Sequence, residues 1–208
     1  MWYTRPTVFV VDDDISVCES LESLIRSAGL RSETFASAKE FLAHPRVFAP
    51  SCLVLDVGLP DINGLDLQKR MTDRADLPII FISGYGDVAM TVQAMKAGAV
   101  EFLIKPFSDE AVLSAIGNAI ERSEAVLRRE LEMRPIRIGY ASLSRRERQV
   151  MDLVASGLLN KQVGGELGIS EITVKAHRSR VMRKMKAESL ADLIKMAVRL
   201  GAAAAVGC

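Results

Sequence analysis

Thr7-Val-Phe-Val-Val-Asp-Asp-Asp14 sets five apolar or β-branched residues directly against three acids. An apolar run this short and this continuous reads as a strand buried on both faces, as in a parallel sheet. Acids at its end lie where such a sheet opens its crevice, beyond the carboxyl ends of the central strands. The pattern repeats down the chain. Cys52-Leu-Val-Leu55 runs into Asp56, and Leu77-Pro-Ile-Ile-Phe-Ile82 runs into Ser83. Residues 31–35 and 101–104 are weaker strand candidates, the second followed by Lys105-Pro106. Helical patterns fill the gaps at residues 15–28, 38–44 after a Ser37 cap, 64–75, 87–97 and from Asp109 onward. Five β–α units in about 120 residues predict an α/β domain built on a doubly wound, five-stranded parallel sheet.

The residues closing the strands carry the chemistry. Asp12, Asp13 and Asp56 would converge at one sheet edge, where they repel one another unless a cation lies among them. Oxygen ligands with room for water and phosphate suit magnesium better than zinc. Lys105 adds positive charge over the same crevice, and Ser83 offers a hydroxyl to a phosphoryl oxygen. Taken singly, an Asp after a strand is commonly a turn or cap residue, and Asp14 reads as a solvent-facing or helix-capping acid. No Walker-type loop or G-x-G-x-x-G follows a strand, so nucleotide binding has no support.

The chain of 208 residues is 49% hydrophobic and 25% charged, ordinary for globular domains and enough for one large or two modest ones. No apolar run approaches the roughly 18 residues of a membrane span, and residues 1–6 lack a signal core, so a cytoplasmic protein without a membrane partner is expected. Cys18, Cys52 and Cys208 are too few and scattered for a disulfide framework. Two histidines, His44 and His177, leave little for zinc or triad chemistry. Residues 1–120 hold 10 Lys+Arg against 16 Asp+Glu, a net of −6, and residues 121–208 hold 17 against 10, a net of +7. An acidic half followed by a basic half predicts two modules, the second facing a polyanion.

The stretches Val10-Val-Asp-Asp13, Leu55-Asp-Val-Gly-Leu-Pro-Asp-Ile-Asn-Gly64, Ile82-Ser-Gly-Tyr-Gly86 and Phe102-Leu-Ile-Lys-Pro-Phe107 resemble the receiver domain of two-component response regulators, a flavodoxin-like fold. The resemblance implies phosphorylation of Asp56 by a sensor histidine kinase. It implies magnesium held by Asp13 directly, by Asp12 mainly through water, by Asp56 and by the Gly58 backbone carbonyl. Ser83 and Lys105 would hold the phosphoryl oxygens, and Ser83 and Phe102 would act as the switch pair. Ser83 stands where many members have Thr, and the hydroxyl survives. Residues 87–102 look like the FixJ-like branch, in which this helix and the next strand form the phosphorylation-driven homodimer face. Val88, Val92 and Met95 recur at helical spacing and are expected in the core.

Beyond Asp109 the helical pattern continues through residues 121–133 and is expected to stop near Pro135, with residues 135–141 as a hinge. Ile120, Val126, Leu127 and Leu131 form a weak candidate dimer seam. From Ser142 only helices are expected: one opened by a Ser144/Glu147 capping box, one capped by Asn160, one capped by Ser170 after a Gly168 turn, and one over residues 190–200 stopped by Gly201. A short helix, a glycine turn and a longer basic helix make a helix-turn-helix, here in an all-α four-helix domain. On the third of these helices Val174, Val181 and Met185 share one side. Lys175, Ala176, Ser179, Arg183 and Lys186 share the other, a cationic stripe with small residues that can enter a major groove.

Leu143-Ser-Arg-Arg-Glu-Arg148, Asn160-Lys-Gln-Val163, Glu166-Leu-Gly-Ile-Ser170 and Thr173-Val-Lys-Ala-His177 resemble the LuxR/NarL-type DNA-binding domain. The resemblance implies base-edge contacts from Lys175, Ala176 and Ser179. It implies phosphate contacts from Lys161, Thr173, Arg180, Arg183 and Lys184. Gly164 departs from the usual Ala. The whole reads as a receiver over residues 1–121, a helical linker over 122–140 and a DNA-binding domain over 141–208. The resemblance implies a regulator of transcription, with double-stranded DNA and RNA polymerase as partners, rather than an enzyme. The rival is a magnesium-dependent phosphatase-like enzyme with Asp56 as nucleophile. It needs an acid two residues further on, where the chain has Gly58.

Overall fold

Strands bounded by turns and buried on both faces form as the apolar runs require. The computed structural model describes residues 5–206, with side chains through Gly201. Residues 1–4 and Cys208, on which the readings of the chain start and of the third cysteine rest, lie outside the described residues. The chain divides into two compact units, Met1–Arg128 and Arg129–Cys208.

The first unit alternates β1 (Thr7–Val11), α1 (Ile15–Ser27), β2 (Arg31–Phe35), α2 (Ala38–Ala43), β3 (Ser51–Asp56), α3 (Gly64–Arg70), β4 (Ile79–Ser83), α4 (Val88–Lys96) and β5 (Glu101–Ile104). The strands pair in parallel in the order β2-β1-β3-β4-β5. That order reverses direction between β1 and β3, which puts the crevice at their carboxyl ends. Register pairs Val11 with Leu55, Asp56 with Ile82 and Ser83 with Ile104, so the chemistry-bearing residues gather at one edge. The pleat splits the core in two. Phe9, Val11, Leu55 and Phe81 pack on one face with Phe41 and Leu67. Val10, Val54, Ile80 and Ile82 pack on the other with Ile25 and Ile116. Each such side chain, fully buried, contributes roughly 1.5–3 kcal/mol.

Side-chain caps start the helices. Asp14 accepts from the Ser16 amide at 2.9 Å, as a capping acid should, while Ser37, Asn63 and Asp87 cap α2, α3 and α4. At the amino ends of the strands, the buried Ser123 hydroxyl accepts from the Ser51 amide at 3.0 Å and donates to the Asp76 carbonyl at 2.6 Å.

Three expectations in this unit fail. Helix α3 ends at Arg70 rather than near residue 75. Beyond the buried Met71 its stripe runs out, and the chain turns through Arg74 N–H to Met71 O and Leu77 N–H to Arg74 O. Val88, Val92 and Met95 are exposed rather than core, and Ala94 alone on α4 is buried. Of the dimer seam, Leu127 is buried and Ile120 packs against the receiver core, which leaves only Val126 and Leu131 exposed.

Helix α5 (Asp109–Ala141) runs 33 residues with Pro135 inside it, so the expected hinge over residues 135–141 is helical. Met133 and Ile136 flank the proline and are buried in the core of the second unit. That packing outweighs the hydrogen bond that proline cannot donate. The second unit continues with α6 (Arg145–Ala155), α7 (Asn160–Leu167), α8 (Glu171–Met185) and α9 (Leu190–Val206), gathered around Val150, Met151, Val163, Val174, Val181 and Leu193. Helix α9 passes Gly201 because residues 202–205 are all alanine, the best helix former. Asn160 is the first helical residue of α7 and not its cap; Gln162 instead accepts from the Leu159 amide at 2.8 Å. Gly168, at φ +65°, makes the turn into α8. A Cβ on Gly164 would meet the Ile169 carbonyl oxygen at 2.7 Å, which is why glycine stands at this position.

Candidate functional site

Asp12 and Asp56 end neighbouring strands, and both are buried. Lys105, just past β5, reaches between them, its Nζ 2.6 Å from Asp12 Oδ2 and 2.9 Å from Asp56 Oδ1. The Asp14 amide donates to Asp12 Oδ1 at 2.9 Å, and the Gly58 amide donates to Asp56 Oδ2. Burial raises the Asp12 pKa above its usual value, against the pull of Lys105. Burial also works against the Lys105 ammonium, but hydrogen bonds and charge from the two carboxylates outweigh it and hold its pKa high. The result is one fixed cation shared by two buried acids, a cluster that a further cation would neutralise.

Of the three carboxylates expected at this edge, Asp12 and Asp56 are buried and bonded to Lys105. Asp13, next along the chain, is exposed, and among the described residues no three acidic, His or Cys side chains gather to hold a metal. Lys105 provides the cation that two buried acids require. Ser83 is buried at the end of β4; its hydroxyl donates to the Tyr85 carbonyl at 2.9 Å and accepts from the Tyr85 amide at 3.2 Å. Phe102 lies inside, its ring centroid 6.1 Å from that of Phe81. Gly58 stands where a phosphatase would carry its acid. Cys18 donates to the Asp12 carbonyl at 3.4 Å, and burial pushes the Cys52 thiol up to about 12, far from a reactive thiolate.

On α8 the two-sided reading holds. Val174, Val181 and Met185 are buried, and Thr173, Lys175, Ala176, Ser179, Arg180, Arg183 and Lys186 are exposed, as is Lys161 on α7. Lys175 pairs with Glu171 one turn back at 3.0 Å. His177 is half-buried, its Nδ1 covered and without a hydrogen-bond partner.

Lys184 departs from its expected phosphate-contact role. It turns into the domain, with its Nζ 2.7 Å from Glu147 Oε2 and 2.9 Å from the Ser142 carbonyl. Hydrogen bonds from Lys184 and from the Ser144 amide, against the cost of burial, hold the Glu147 pKa down to about 2. Two tethering residues escaped the sequence reading. Arg178 donates to Asn160 Oδ1 at 3.2 Å and ties α8 to α7. Asp61 accepts from the Ala38 and Lys39 amides at 3.3 and 2.9 Å and ties the loop after Asp56 to α2. A long-range polar pair leaves no periodic signal.

Comparison with known proteins matches residues 8–117 to the response regulator receiver domain and residues 141–197 to the bacterial regulatory proteins of the luxR family. Nodulation protein W of Bradyrhizobium diazoefficiens is 50% identical over 202 residues, covering 97% of this chain and 89% of that one. Transcriptional regulatory protein FixJ of the same organism is 40% identical, covering 95% and 97%. Among solved structures, the response regulator StyR superposes with a TM-score of 0.82 at 46% identity, over 94% of this chain and 100% of that one. Full-length FixJ from B. japonicum gives 0.55 at 41% identity, over 94% and 97%.

Proposed function

The chain belongs to the response regulators that join a receiver domain to a LuxR-type DNA-binding domain, a family of transcriptional regulators rather than enzymes, and on that premise we propose that Asp56 accepts the phosphoryl group. A kinase partner and a DNA target come with the family. The observation that carries the assignment is Lys105 bonded to both Asp12 and Asp56 where β1 and β3 end. Asp56 Oδ attacks the phosphorus of a phosphohistidine, the P–N bond breaks, and the histidine leaves with the electron pair and takes up a proton. Lys105 neutralises charge on the transferring group, and the Ser83 hydroxyl turns from Tyr85 to hold a phosphoryl oxygen. Asp12, Asp13, Asp56 and the Gly58 carbonyl form an all-oxygen donor set that suits magnesium, and a buried Asp12 that desolvation makes less acidic gains from a cation. Held there, magnesium would add further charge neutralisation.

Residues 1–121 serve as receiver, 122–140 as connection and 141–208 as the DNA-reading domain. The receiver surface formed by α4 and β5, with Val88, Val92, Met95 and Ile104 exposed, suits a homodimer made on phosphorylation. Two copies would present two recognition helices, with Lys175, Ala176 and Ser179 at base edges and Lys161, Thr173, Arg180 and Arg183 at phosphates. RNA polymerase is the onward partner, and no helix among the described residues is long and apolar enough to cross a membrane, in keeping with a cytoplasmic role.

The test is direct. Protein treated with magnesium and acetyl phosphate should gain acid-resistant, hydroxylamine-labile phosphate and become dimeric by light scattering. Asp56→Asn should do neither. Undiminished labelling of Asp56→Asn would sink the assignment.

A further inference from the structure

At the amino ends of the receiver strands, across the sheet from Asp56, lies a cleft of about 510 Å³. Its volume falls in the range of small-molecule sites, roughly 300–1,000 Å³. Leu77, Ile79, Val100 and Val126 supply an apolar wall, and Arg74 and Arg122 are the charged residues that line it. No Asp or Glu lines it. Arg74 is the unusual member. Only 13% of its side chain is exposed, and its Nε is covered with no hydrogen-bond partner. The acid paired with it, Asp76, stands 4.0 Å away, at the margin of an ion pair. The Asp76 main-chain carbonyl is already taken by the Ser123 hydroxyl. Arginine presents five donors in a planar fork and matches a carboxylate with two of them. Burial lowers the Arg74 pKa from its ordinary value, Asp76 opposing, as befits a cation with too few partners.

We propose that this cleft binds a small organic acid, an apolar ring or chain carrying one carboxylate, with the carboxylate on Arg74 and the body against Leu77, Ile79, Val100 and Val126. The frame is already set: Ser123 holds the carbonyl of Asp76, between the lining residues Ala75 and Leu77, and Gly98, at φ +95° with nothing within 4 Å of a notional Cβ, leaves its rim open. Because Ala97 caps the end of α4 and Arg122 lies on α5, occupancy acts on two helices without touching the phosphoacceptor edge.

The probes are 2-naphthoate, its neutral counterpart 2-naphthamide, and inorganic phosphate, each titrated into isotope-labelled full-length protein. Naphthoate should shift the Leu77, Gly98 and Val100 amides saturably, with a submillimolar Kd. Naphthamide and phosphate should each bind at least about tenfold more weakly. Arg74→Met should weaken naphthoate by about tenfold or more. Ala125→Trp, at an exposed position on α5, should block it by filling the cleft, and so provides a second variant should Arg74→Met fail to fold. Naphthamide or phosphate binding as well as naphthoate, shifts that survive both variants, or no shift at these amides up to about 5 mM would each overturn the proposal.

Discussion

On α4, Val88, Val92 and Met95 are 77%, 45% and 42% exposed; on α8, Val174, Val181 and Met185 are 0%, 0% and 3% exposed. Both triplets recur at helical spacing. What differs is the surroundings. Helix α8 is packed by α6 and α7 around one small core, so its apolar side is covered and its cationic side is left to water. Helix α4 gives the receiver core Ala94 and the partly buried Met90, and turns Val88, Val92 and Met95 outward beside the exposed Ile104 of β5. An apolar stripe says that a helix has a partner face, not that the partner lies in the same chain.

The contrast breaks most sharply if one acid is placed in each stripe. Val181→Asp buries an unpaired charge and should cost more than about 4 kcal/mol, enough to unfold the second unit. Val92→Asp should change stability by under about 0.5 kcal/mol yet prevent the dimer that follows acetyl phosphate treatment. Calorimetry and light scattering separate the two effects, and comparable destabilisation by both substitutions would mean that the α4 stripe is not free.

A second measurement sharpens what holds α8 in place. Glu147 is more acidic folded than unfolded, so its pairing with Lys184 stabilises fully above the unfolded pKa of 4.5. That contribution is lost as pH falls from there toward about 2. Glu147→Gln should lower stability at neutral pH by roughly 1.5–3 kcal/mol, and the loss should shrink on acidification across that window. A stability deficit that stayed constant from pH 7 to pH 2.5 would contradict the pairing.

The smallest effects concern the open side of α8. Lys175→Ala should cost about 1–3 kcal/mol of affinity for the operator over random DNA. Arg183→Ala should weaken both alike and reduce the slope of log affinity against log salt by about 1. An unchanged specificity ratio in Lys175→Ala would remove that residue from base reading.

Much of this was legible in the sequence because strands, caps and strand-end acids are local. The five strands, the Asp14 and Ser37 caps, the buried side of α8 and the placement of Asp12, Asp56, Ser83 and Lys105 at one edge all follow from pattern and period. The failures are non-local. The spacing of Val88, Val92 and Met95 carries no record of what covers them. Pro135 reads as a breaker until Met133 and Ile136 are seen in a core beside it. Lys184 is a phosphate contact by resemblance, and the buried Glu147, 37 residues away, with the Ser142 carbonyl turns it inward.

Ser123 gives the receiver uneven stiffness. One hydroxyl, using both its donor and its acceptor, clamps α5 to the start of β3 and to the turn before β4. At the opposite edge Lys105 ties Asp12 to Asp56, whereas at the end of β4 the Ser83 hydroxyl bonds only the neighbouring Tyr85 backbone. Strand β4 is therefore held unevenly along its length, through the Ser123 bond to the turn before it and, at Ser83, by nothing beyond its own neighbouring backbone. In mechanical terms β4 is built as a cantilever, anchored at its amino edge and most lightly held at the end that leads toward α4.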